Sequence, residues 1–237
     1  LRLLCFPYAG GAANIFRAWA DSLPATVEVC AVQLPGRGGR LLEPPFTDLL
    51  LLVRTAAQEL LPFLDRPFAF FGHSMGATIS YELAQLLRKD YNIEPLHLFA
   101  SGRCAPQLPD EQPVTYDLPE PKFLEELRQL NGTPAEVLEH PELIELLLPV
   151  LRADFELIQT HVYSPKPPLD CPITAFGGVE DKEVRREQLD AWREQTRARF
   201  SLQMFPGDHF FLHTAQPLLL ESVARELGQL VSKLYHK

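Results

Sequence analysis

No stretch of this 237-residue chain stays apolar for the roughly 18–20 residues that a bilayer-spanning helix requires, and no basic segment followed by a short apolar run opens it. No membrane partner and a cytoplasmic location are therefore expected. Because Leu1 already lies in a strand-like run, further residues are expected to precede it. Positive charge is scarce as well: 22 Lys and Arg face 31 Asp and Glu, a formal net charge of −9, which argues against nucleic acid or an anionic membrane as the main partner. Of the four cysteines, Cys5, Cys30, Cys104 and Cys171, no two form a C-x-x-C pair, so reduced and buried thiols are expected. There is no Gly-x-x-x-x-Gly-Lys loop and no clustered set of metal ligands, so no cofactor and no metal is expected.

What is present is a pattern of short apolar runs alternating with helical periodicities. Strands are expected at Leu1 to Phe6, Val27 to Leu34, Phe68 to Phe71, Leu96 to Ser101, Ile173 to Gly177 and Phe200 to Phe205. Between them lie amphipathic stretches: Phe16, Trp19 and Leu23; Leu49 to Leu61 behind a possible N-cap at Thr47; Ile79, Leu83, Leu86 and Leu87; and a last helix with Leu219, Val223, Leu227, Leu230 and Leu234 inside. Alternation at this spacing implies parallel βαβ units, hence one α/β domain over residues 1–237 with a mostly parallel, doubly wound sheet. Residues 106–165 break the alternation. They carry helical stripes only: Phe123 to Leu130 stopped by Asn131-Gly132, a short helix opened by the capping box Thr133-Pro134-Ala135-Glu136, and a third from Pro141 to Ile158, bent or broken at Pro149. They also hold 12 of the acidic residues and 3 of the basic ones, so the whole net charge sits on them. This segment is expected to be an inserted helical lid over the C-terminal ends of the strands.

The chemistry centres on Gly72-His73-Ser74-Met75-Gly76, a Gly-x-Ser-x-Gly where an apolar strand gives way at once to a helix. Glycines flank such a serine because strand and helix backbones crowd there, and the turn lifts its hydroxyl to the helix N-terminus, where developing negative charge is favoured. A serine hydroxyl needs a histidine base and a group that orients it. Of seven histidines, His209 in Pro206-Gly207-Asp208-His209-Phe210 follows the last strand, where the order serine, acid, histidine puts the base. Asp181, after the fifth strand, is the candidate acid, with Glu180 and Asp208 as rivals. The oxyanion hole is expected from the backbone N–H groups of Met75 and Ala9.

The segments Phe6-Pro7-Tyr8-Ala9-Gly10-Gly11, Leu34-Pro35-Gly36-Arg37, Pro67 to Gly76, Leu96 to Phe99, Gly132-Thr133-Pro134, Leu151-Arg152-Ala153-Asp154 and Pro206 to Phe210 occur in one order along nearly the whole chain. In them the chain resembles the type II thioesterases, the free-standing editing enzymes of polyketide and nonribosomal peptide synthesis, related to medium-chain fatty acyl thioesterases. The resemblance implies an α/β-hydrolase fold with a helical lid, a Ser74–Asp181–His209 triad, and acyl groups on the phosphopantetheine arm of carrier proteins as substrates. Carriers of that kind are usually acidic, so Arg37 and Arg40, with Arg17 and Arg103, are expected to receive them. The rival functions are a small-ester carboxylesterase or lipase with the same triad and a non-catalytic hydrolase-fold binding protein.

Overall fold

The structure, a computed structural model, describes residues 1–130 and 140–235. The expected sheet is there. Its six strands, β1 (Arg2–Phe6), β2 (Glu28–Ala31), β3 (Phe68–His73), β4 (Leu98–Ser101), β5 (Ile173–Gly178) and β6 (Phe200–Phe205), lie side by side in the order β2-β1-β3-β4-β5-β6. Every pairing is parallel, with Cys5 opposite Phe71, His73 opposite Ser101 and Gly178 opposite Phe205. β2 is shorter than expected: only Glu28–Ala31 form the ladder, and they occupy an edge where both terminal residues are exposed.

The period of two sorts the apolar residues of the central strands onto two faces. Leu4, Phe6, Phe68 and Phe70 pack with Leu52, Val53 and Ala57 of α2 (Leu49–Leu60) and Ile79, Leu83 and Leu87 of α3 (Met75–Tyr91). Leu3, Cys5, Ala69, Phe71, Phe99 and Phe176 turn the other way, onto Phe16, Trp19 of α1 (Trp19–Ser22), and Leu219, Val223 and Leu227 of the last helix, Gln216–Tyr235. Both faces of the sheet are thus sealed, and each large side chain so buried contributes about 1.5–3 kcal/mol. The last helix is preceded by a separate turn of helix, Phe211–Thr214.

Three local expectations need correction or completion. The N-cap of α2 is Asp48, not Thr47: the Asp48 carboxylate accepts from the N–H of Leu51 at 2.8 Å. In residues 106–165 two helices are described, Glu120–Leu130 and Pro141–Gln159, and no strand among the described residues. The second helix is not broken at Pro149 but runs on through it, so the imino residue costs one internal hydrogen bond without ending the helix. The expected stop at Asn131-Gly132, the capping box at Thr133 to Glu136 and the Gly132-Thr133-Pro134 match lie outside the described residues. Phe123 and Leu127 of the first helix pack on Ile144 and Leu151 of the second, forming a small core of their own.

Candidate active site

At the end of β3, Ser74 takes φ 52° and ψ −115° as the N-cap of α3, a backbone conformation that side-chain-bearing residues rarely adopt. The two glycines make that turn possible by close approach. A Cβ on Gly72 would fall 2.1 Å from the carbonyl oxygen of Gly76, and one on Gly76 would fall 2.1 Å from that of Phe6. The N–H of Ser74 donates to the Ser101 carbonyl at 2.7 Å, tying the turn to the end of β4. Ser74 lines a cleft together with Ala9, Met75, Phe155, Ile158 and Glu183, and a second cavity together with Ala9, Phe155, Glu183 and His209.

The loops after β5 and β6 run side by side. A Cβ on Gly178 would meet the Asp208 carbonyl oxygen at 2.3 Å, and the N–H of Glu180 donates to the Gly207 carbonyl at 3.0 Å. This brings Asp181 to His209: Nδ1 of the histidine lies 2.9 Å from Oδ2 of the aspartate, whose side chain is fully buried. The other oxygen, Oδ1, accepts from the backbone N–H groups of Glu183 at 2.8 Å and Val184 at 3.1 Å. Burial disfavours the imidazolium of His209, yet the hydrogen bond to Asp181 and the charge of Glu183 outweigh it and raise its pKa above the ordinary 6.5. Of the two rivals, Glu180 is exposed, and Asp208 spends its carboxylate on the N–H of Phe210 at 2.9 Å.

Of the other described histidines, His140 is exposed at the start of the helix Pro141–Gln159 and the remaining four face other groups. His73 is buried with Nδ1 2.8 Å from the Ser101 hydroxyl, and desolvation holds its pKa well below 6.5, so it is neutral. His97 pairs with the Thr174 hydroxyl, His161 faces Glu82, and His213 pairs with the Tyr8 hydroxyl. Glu183, which the sequence reading did not single out, places Oε2 3.9 Å from Nε2 of His209. Its pKa is raised by burial above all. Asp181, Glu183 and His209 are grouped closely enough to suggest a metal site. The two carboxylates, however, approach opposite nitrogens of the ring, which is how a histidine is held between acids.

Ala9 and Met75, the two residues expected to supply oxyanion donors, flank Ser74 in the same cleft. Both line the cleft with Ser74, Met75 is the first residue of α3, and neither N–H has a protein acceptor among the described residues. The arginines behave differently from expectation. Arg37 is buried, its guanidinium bound at both nitrogens to the carboxylate of Asp154, at 2.6 and 2.7 Å. Arg40 is paired with Glu43, and Arg103 with Asp110 at 3.0 Å. Arg37 is thus turned inward, buried and already donating to Asp154, Pro35 and Gly11, rather than presented to an outside partner; Arg17 remains exposed.

Residues 1–230 match the model of the thioesterase domain. The chain belongs to the thioesterase family. This thioesterase is 49% identical over 227 residues to the gramicidin S biosynthesis protein GrsT of Aneurinibacillus migulanus, covering 96% of the present chain and 89% of that protein. Among solved structures it is similar to RedJ, the thioesterase of the prodiginine pathway of Streptomyces coelicolor, with 39% identity, a TM-score of 0.89 and coverage of 95% and 85% of the two chains. It is also similar to the type II thioesterase BorB of the borrelidin cluster, with 36% identity, a TM-score of 0.87 and coverage of 95% and 92%. The sheet and helices are those of the α/β-hydrolase fold, and the enzyme is an acyl-thioester hydrolase. No helix among its described residues is long and apolar enough to cross a membrane.

Proposed function

We propose that this thioesterase removes aberrant or stalled acyl groups from the phosphopantetheine arm of acyl or peptidyl carrier proteins in polyketide or nonribosomal peptide synthesis, working in the cytoplasm with Ser74, His209 and Asp181 as its triad. The observation that supports the reading is that Ser74, on its strained elbow, lines one cavity with Ala9 and Met75, whose backbone N–H groups have no acceptor among the described residues, and another with Ala9 and His209, the histidine fixed by a buried carboxylate. Nε2 of His209 takes the proton of the Ser74 hydroxyl as Oγ attacks the thioester carbonyl carbon. The N–H groups of Ala9 and Met75 hold the resulting oxyanion. The carbon–sulfur bond then breaks, and the carrier thiol leaves with the proton from His209. Water, deprotonated by the same nitrogen, attacks the acyl-serine and releases the free acid and Ser74. Asp181 keeps Nδ1 protonated throughout, so that Nε2 is the basic nitrogen. No step calls for a metal or cofactor.

Residues 106–165 act as the lid. Phe155 and Ile158 of the helix Pro141–Gln159 and Leu130 of the helix Glu120–Leu130 form the apolar wall opposite Ser74, which suits an acyl chain. The test is a panel in which the same acyl groups are presented on carrier arms, on small thiols and on small alcohols. Hydrolysis should be fastest from the carrier, and Ser74→Ala should lose both turnover and covalent labelling by a fluorophosphonate. Equal rates on carrier and alcohol would make the protein a general esterase, and an unlabelled wild-type protein would make it a binder.

A further inference from the structure

The oxyanion donor at Ala9 belongs to a tight turn, 8–11, in which the N–H of Gly11 donates to the Tyr8 carbonyl at 2.9 Å. The next N–H, that of Gly10, donates to Oδ2 of Asp154 at 2.7 Å. The carbonyl of Gly11 accepts from Nη1 of Arg37 at 3.2 Å, and the same Nη1 donates to Oδ2 of Asp154. Of the three N–H groups at residues 9, 10 and 11, two are therefore committed and only that of Ala9 is left for the cleft. Asp154 and Leu151 sit on one helix of the lid, Pro141–Gln159, and Leu151 lies directly under Gly10: a Cβ there would fall 2.5 Å from Leu151 Cδ2, at a φ of +76°. The ion pair is nearly out of reach of water, with side-chain exposures of 5% for Arg37 and 3% for Asp154.

We propose that the Arg37–Asp154 pair is the positioning element of the oxyanion hole: it grips the turn at the Gly10 N–H and the Gly11 carbonyl, immediately after Ala9, and so aims the Ala9 N–H at the substrate carbonyl. A buried ion pair gains little net stability, because desolvation offsets its attraction, whereas its geometry is strict. A bidentate guanidinium–carboxylate pair is planar and fixes both partners in orientation, and the charge-assisted bond to Gly10 carries that orientation into the turn. One helix of the lid thereby does two things at once. It walls the acyl cleft through Phe155 and Ile158, and through Asp154 it sets the catalytic backbone. Neither Arg37 nor Asp154 is a triad member; both are positioning residues acting through Ala9.

This inference rests on the triad and oxyanion reading given above, and its test separates the two. The variant Arg37→Met/Asp154→Leu replaces the pair by apolar side chains of similar bulk, a change that buried pairs often tolerate, and Asp154→Asn serves as a milder second variant. Three quantities are measured on each: kcat/KM for a small acyl thioester, the inhibition constant of a trifluoromethyl ketone bearing the same acyl chain, and the affinity of a non-hydrolysable acyl thioether in a Ser74→Ala background. The expected result is a loss of about 10- to 100-fold in kcat/KM and an equal weakening of the ketone, whose tetrahedral adduct needs the oxyanion hole, with thioether affinity within about twofold. A folded variant with wild-type kcat/KM and ketone affinity overturns the proposal, as does a loss confined to the thioether. If the double variant does not fold, Asp154→Asn decides by the same three measurements. Failure of the underlying reading would show separately, as persistent turnover in Ser74→Ala with native Arg37 and Asp154.

Discussion

Replacing Asp181 by asparagine changes one charge and almost no volume, and the surroundings dictate how the new amide must lie. Oδ1 of Asp181 accepts two backbone N–H groups, from Glu183 and Val184, at 2.8 and 3.1 Å. An NH2 group at that position would face two donors, so the amide oxygen has to stay there. The NH2 is then forced to the position of Oδ2, 2.9 Å from Nδ1 of His209, where it donates. Nδ1 becomes an acceptor, the ring proton moves to Nε2, and Nε2 can no longer take the proton of Ser74. A histidine locked in the wrong tautomer costs about 10⁴-fold in kcat, or roughly 5.4 kcal/mol at 1.36 kcal/mol per decade. The fold should hardly notice: shape and hydrogen bonds are kept, so stability should stay within about 1 kcal/mol of wild type. The assay is thiol release from a small acyl thioester at pH 7 to 8, with denaturant unfolding on the same preparations. Glu180→Gln, one residue away and exposed, is the control and should retain full activity. An Asp181→Asn enzyme with more than a tenth of wild-type turnover, or equal losses in the two variants, would refute the tautomer argument.

The pH profile supplies a second test: if His209 is the base, as proposed, only its neutral form can act, and its raised pKa puts the acid limb of kcat/KM above pH 6.5, with activity lost as pH falls through it. Glu183→Gln removes a charge that raises that pKa, so the limb should move to lower pH; an unmoved limb would mean that Glu183 does not influence the base. At the elbow, Gly72→Ala would set a methyl group 2.1 Å from the Gly76 carbonyl oxygen, between two backbones that cannot yield separately. A loss of about 2–3 kcal/mol, seen as a fall in Tm of roughly 4–12 °C, is expected, and unchanged stability would show that strand and helix are less tightly joined than described.

How much of this could be read from the residues follows from how local each feature is. The elbow is local: two glycines, a serine and the switch from strand to helix periodicity lie within ten residues, and the structure reproduces them together. Asp181 and His209 each announce themselves by their place after a strand, and their meeting follows from β5 and β6 being neighbours. Arg37 is the opposite case. A glycine-flanked arginine reads the same whether solvated or buried, and the partner that decides the matter, Asp154, stands 117 residues away. Glu183 carries no motif of its own, and its closeness to His209 depends on the turn after Asp181. Pro149 does not break its helix, which runs on to Gln159 with Ile144, Val150 and Leu151 buried on both sides of the proline, a continuity that a proline in the sequence does not advertise. Thr47 and Asp48 are both competent caps, and only the burial phase of Leu49, Leu52 and Val53 selects the second.

The pairing of β4 with β5 also has a bearing on how the enzyme comes into being. Leu98 is registered against Ile173 across the entire 106–165 segment, so this seam of the sheet must close a long loop before it gains anything, and such closures are slow. β1 to β4 can assemble from the first hundred or so residues and with them the elbow that carries Ser74. Asp181 and His209, the proposed acid and base, follow β5 and β6, on the far side of that seam. On the proposed triad, a chain synthesised in this order presents Ser74 before its acid and base can dock, so hydrolytic turnover is expected to report that β5 and β6 have joined the sheet.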